Sequence, residues 1–200
     1  MAFGNFINSL KGIFTEGPLK DLTEEMSQSQ NEKQSQLQPG KLSAEQVVIT
    51  DAFRKTFNVN SPVRENMHNS FMFSMLVMAS HIVIADGKVE PEEYQFLGQF
   101  LRDNFGEETE TEGMEVMRKL IAKREELEAR KPMAFIQIIG DCGSQISRTL
   151  SEDLRYQMLS MLARIVKSDK NITDTEIEAL RDVAVYIGMK TDDADALMKE

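Results

Sequence analysis

The chain of 200 residues has one cysteine, no tryptophan, five prolines and few cations, with 23 Lys and Arg against 33 Asp and Glu. Each shortage excludes something. A single cysteine, Cys142, cannot form an intrachain disulfide and suits a reducing compartment. The longest mostly apolar stretch, residues 71–85, is broken by Ser74, Ser80 and His81. It falls short of the roughly 20 residues a spanning helix needs and reads as a buried core helix. The first residues lack a basic start followed by a continuous apolar core, so no signal peptide is expected. A net charge of −10 argues against a general nucleic-acid binder, whose affinity rests on cations that neutralise phosphates. It disfavours broad adhesion to anionic lipid for the same reason. The expectation is an acidic, cytoplasmic protein with no nucleic-acid partner.

Hydrophobic residues make up 41% of the chain, enough for a sizeable core, and their spacing divides the sequence into three parts. In residues 1–18, Phe3, Phe6, Ile7, Leu10, Ile13 and Phe14 recur at helical spacing as one apolar stripe, predicting an amphipathic helix. Such a helix would meet a protein partner, its own domain, or peripherally a membrane surface, although Lys11 and the amino terminus are its only cations. Residues 19–42 include Gln28, Gln30, Gln34, Gln36 and Gln38 and close on Pro39-Gly40. With few apolar residues this stretch is expected to be a flexible linker. From residue 43 to 200 the period is helical almost throughout. Ser43 with Gln46, and Ser61 before Pro62, read as helix starts. Gly140 and Gly143 mark a bend or a close helix contact, and Thr191 caps a short last helix. No period-2 segment stands out, so the predicted class is all-α, a compact helical bundle.

A repeat organises that bundle. Shifting the chain by 83 residues aligns residues 75–93 with 158–176, with identities at Met75/Met158, Leu76/Leu159, Met78/Met161, Ile82/Ile165, Val83/Val166, Asp86/Asp169 and Glu93/Glu176. Each copy is an apolar helix, a turn opening on Asp, one aliphatic residue (Val89 or Ile172) and a helix that begins with acids. Two repeated helix–turn–helix units packed face to face are the expectation. The same residues, ASHIVIADGKVEPEEYQFL and LARIVKSDKNITDTEIEAL, resemble the paired signatures of the TerB-like superfamily, over roughly residues 61–200. The resemblance implies a compact helical bundle with acidic loops, a stress-response role such as tellurite resistance, divalent-cation binding and no established enzymatic reaction. It maps the candidate metal ligands to Asp86 and Glu93 in one turn and to Asp169 and Glu176 in the other.

Two readings of these acids stand side by side. Carboxylates are hard ligands for Ca²⁺ or Mg²⁺, and facing turns would bring four of them together. Equally, Thr173 with Glu176 fits a capping box, Pro91 with Glu92 and Glu93 fits a helix start, and the two aspartates suit bonds within their own turns. An EF-hand is excluded because its first two ligand positions would be Ile82 and Ile84. His68 and His81 are not spaced as a same-face metal pair. Cys142 has no His partner arrangement and reads as a core thiol. The thirteen methionines mostly fall on helical stripes, as core or as a partner groove. The Glu-rich run 103–115 reads as a solvated connection and helix start. Two functions follow: a non-enzymatic interaction domain recruited to a protein partner or a membrane surface by the N-terminal stripe, and a Ca²⁺ or Mg²⁺ sensor. A metal-dependent hydrolase is the weaker third, since no nucleophile elbow or phosphate loop is present.

Overall fold

The computed structural model describes residues 17–28, 62–130, 133–169 and 171–199. Their regular elements are all helices: α1 Gly17–Gln28, α2 Pro62–Val83, α3 Pro91–Phe105, α4 Glu107–Arg130, α5 Ala134–Thr149, α6 Glu152–Val166, α7 Asp174–Tyr186 and α8 Thr191–Lys199. The all-α expectation holds. The N-terminal stripe from Phe3 to Phe14 and the capping pair Ser43/Gln46 lie outside the described residues.

The bundle is built around α2. Every residue from 70 to 80 is buried, as a helix without a polar face requires, and α4, α5, α6 and α7 pack around it. Its few hydroxyls are accommodated locally. Ser74 Oγ donates to Gln145 Oε1 of α5 at 2.9 Å, and Ser80 Oγ donates to the Val77 carbonyl at 2.7 Å. The methionines of the apolar stripes enter the core: Met72, Met75, Met78, Met117, Met158 and Met161 are all buried. Proline at the first helical position starts α2 and α3, where its missing N–H costs nothing.

Close packing of α5 on α7 depends on glycine. A Cβ on Gly143 would stand 2.6 Å from Tyr186 Cβ and 2.7 Å from the Tyr186 carbonyl carbon. Only a residue without a side chain lets the two backbones approach so closely, which is the close contact read from the sequence. Cys142 beside it is buried, and loss of solvation pushes its thiol up to about 12, as a core thiol should behave.

Two sequence expectations are corrected. Residues 19–28 were expected to begin a flexible linker, yet they form most of α1. Leu19, Leu22 and Met26 sit at i, i+3 and i+7, all buried, and α1 packs on α5. Three well-spaced apolar residues suffice once a groove receives them, and average composition conceals that. Second, the acidic run 103–115 is not uniformly solvated. Gly106, with φ +95, separates α3 from α4, and Glu110 is buried one turn later. It is held there by the guanidinium of Arg102, whose Nε and Nη2 donate to its two oxygens at 2.6 and 3.0 Å. A two-pronged ion pair of this kind offsets the cost of burying the carboxylate.

Candidate functional site

The two acidic turns connect α2 to α3 and α6 to α7. In each, the leading aspartate bends back on its own backbone. Asp86 Oδ1 accepts from Lys88 N at 2.9 Å, and Asp169 Oδ1 accepts from Asn171 N at 2.9 Å. These local bonds are the intrinsic preference of aspartate in a turn, and they hold the chain while Gly87, at φ +83, turns it.

The following glutamates close the next helices. At α7, Thr173 N donates to Glu176 Oε2 at 2.7 Å while Glu176 N donates to Thr173 Oγ1 at 3.3 Å, a reciprocal capping box. At α3, Glu90 N donates to Glu93 Oε2 at 3.2 Å. Capping would ordinarily leave such acids at the surface. Here Glu93 is 1% and Glu176 3% exposed, in a fold where α6 packs against both α3 and α7.

Burial brings the two carboxyl groups within hydrogen-bonding reach of one another, and two carboxylates can share such a bond only if one of them holds a proton. Glu93 is the one that is raised. Loss of solvation first, then the neighbouring charges of Glu176 and Asp169, push its carboxyl up to about 8 against the bond from Glu90 N. Glu93 Oε1 receives no bond from an N–H or a hydroxyl, so the Glu176 carboxyl is what it faces. The site is thus a buried pair of carboxyl groups at two helix starts, with the charge of Asp169 close enough to be felt.

Of the four acids singled out in the sequence, Glu93 and Glu176 therefore meet. Asp86 and Asp169 instead turn toward their own backbones. Among the described residues, no three His, Cys, Asp or Glu side chains stand in a metal-holding arrangement. Tyr94 next to the site was not foreseen. Its hydroxyl donates to the Met114 carbonyl at 2.9 Å and accepts from Arg118 Nε at 3.2 Å, fastening the first turn of α3 to α4. Nothing in the local sequence marks a tyrosine as a strut across twenty residues.

His81 lies apart from these acids. Burial, reinforced by the charge of Arg124, lowers it to about 4, so it is neutral at pH 7, with Asp182 Oδ2 3.9 Å from Nε2. No helix among the described residues is long and apolar enough to cross a membrane.

No curated protein and no solved structure matches the chain. The family model described as tellurite resistance protein TerB matches residues 72–199, from the middle of α2 through α8, and so takes in both acidic turns. By that match over well more than half of its length, the chain belongs to the tellurite resistance protein TerB family.

Proposed function

We propose that this chain is a non-enzymatic acidic interaction domain that takes up a divalent cation where its two acidic turns meet. The apolar stripe Phe3, Phe6, Ile7, Leu10, Ile13 and Phe14 recruits it to a protein partner or to a membrane surface. The observation that carries the reading is the buried carboxyl of Glu93, one oxygen of which receives no N–H or hydroxyl bond and has the Glu176 carboxyl within reach. Two buried carboxyl groups that face each other with few donors are costly, and a hard cation would satisfy both glutamates while displacing their shared proton. The family's role in tellurite resistance supports a stress-linked setting for such a domain.

Two glutamates and retained waters suit Mg²⁺, which keeps much of its hydration. Ca²⁺, which takes 6–8 oxygens, would draw in Asp86 and Asp169 as well. Ion uptake would stiffen the two turns and fix how α3 and α7 are presented to a partner. The reading assigns no catalytic residue.

Calorimetric titration of the chelator-stripped full chain with Ca²⁺ and Mg²⁺ tests it. Saturable binding, lost in E93Q/E176Q and weakened in D86N/D169N, is the expected result. Heats that never saturate up to millimolar ion, or binding that E93Q/E176Q leaves intact, would reduce the four acids to turn and cap residues.

A further inference from the structure

The outward face of α7 plays no part in the cation reading. Asp174, Glu178 and Asp182 follow one another at i+4 and all three are exposed, so like charges are stacked along one ridge, an arrangement that destabilises a helix unless something answers it. Arg181 answers it only in part. Arg181, whose field reaches Asp174 and Glu178, gives its hydrogen bond to Asp195 at 2.7 Å. Among the described residues the ridge makes no ion pair with Lys or Arg, and Asp182 meets only the neutral ring of His81 at 3.9 Å. Asp182 itself is raised by partial desolvation and by Glu178.

The next step along the same ridge is Tyr186, with Val185 beside it 57% exposed. Tyr186 rests on the α5 stripe that contains Gly140 and Gly143. A Cβ on Gly140 would stand 3.7 Å from its ring. Ile136, one turn earlier on that stripe, is 39% exposed. Of the five large apolar side chains exposed among the described residues, Val185 follows the acidic ridge on α7 and Ile136 stands one turn from the glycine that meets Tyr186.

We propose that the outer face of α7, from Asp174, Glu178 and Asp182 to the apolar end formed by Val185, Tyr186 and Ile136, docks a basic amphipathic helix of a protein partner. Lysines or arginines one turn apart would pair with the ridge, and apolar residues on the same helix would cover the patch. An anionic membrane surface is excluded by the sign of the ridge.

The test is amide NMR of the full chain at about 0.15 M salt, where loose charge attraction is screened. The probe is a synthetic Lys/Leu amphipathic peptide of about 15 residues, with a scrambled peptide of equal charge as control. Saturable shifts centred on residues 174–186 and on Ile136 are expected, with affinity reduced at least about tenfold in D174N/E178Q/D182N and about fivefold in V185S/I136S. Neutralising the acids of α4 in E107Q/E108Q/E115Q should change it by less than about twofold. Equal binding of the scrambled peptide, an equal loss in the α4 variant, or shifts centred elsewhere would each overturn the proposal. It stands or falls separately from cation uptake, since E93Q/E176Q should bind the peptide as the natural chain does.

Discussion

Replacing Glu93 by glutamine isolates the shared proton. Glutamine keeps the shape, can still accept from Glu90 N, and its amide can donate to Glu176 as the protonated acid does, so the cap and the pair survive while titration is removed. In the natural chain, the folded state holds the Glu93 proton up to about pH 8, whereas the unfolded state releases it near 4.5. Between those values the folded state binds more protons than the unfolded one, so the stability it contributes is complete below about 4.5 and falls as pH rises, until it is gone above 8. At about 1.4 kcal/mol per unit, the interval ties at most roughly 5 kcal/mol to this single group. Water entering as the charged pair separates should reduce the measured effect to on the order of 2–3 kcal/mol. Urea unfolding in chelator at several pH values from 5 to 9 reads it directly, because the difference between the two proteins cancels the other titrating groups. E93Q should match the natural chain near pH 5 and exceed it by that amount at pH 9. Parallel profiles across the whole range would refute a buried shared proton.

Three further outcomes follow from the packing. Gly143→Ala drives a methyl into the Tyr186 backbone, which no side-chain rotation relieves. Urea unfolding should show a loss of about 2–3 kcal/mol, and Y186A should fail to rescue it. Leu22→Ala removes a fully buried side chain from α1 and should cost roughly 2–4 kcal/mol; less than about 0.5 kcal/mol would return residues 19–28 to the status of a linker. Cys142, buried with its thiol raised to about 12, should react with an aromatic disulfide reagent only in denaturant, and rapid labelling of the native chain would contradict its place in the core.

Most of the bundle could be read from periodicity because α2 through α8 carry long apolar stripes with marked starts, such as Pro62, Pro91 and Thr191. The α1 helix was concealed because its three anchors, Leu19, Leu22 and Met26, are diluted by polar neighbours and matter only when α5 offers a groove. At the site, the repeat singles out four acids, of which Glu93 and Glu176 come together while Asp86 and Asp169 bond their own turns, and the capping pattern at Thr173 and Glu176 is visible in the sequence. What the sequence could not show is that Glu93 and Glu176 are buried together. Burial depends on contacts between distant segments, and it turns two ordinary helix caps into a buried pair of carboxyl groups. The burial of Glu110 within the acidic run is hidden for a related reason, since its partner Arg102 lies across the Gly106 break.

On the proposed function, a divalent cation enters where Glu93 meets Glu176. Amide NMR of the chelator-stripped chain during titration with Mg²⁺ and then Ca²⁺ tests it most directly. Saturable shifts concentrated in residues 86–93 and 169–176, and absent from E93Q/E176Q, are predicted. Spectra unchanged at millimolar ion, or shifts spread over the exposed acids of α4 and α7 in place of these turns, would contradict it.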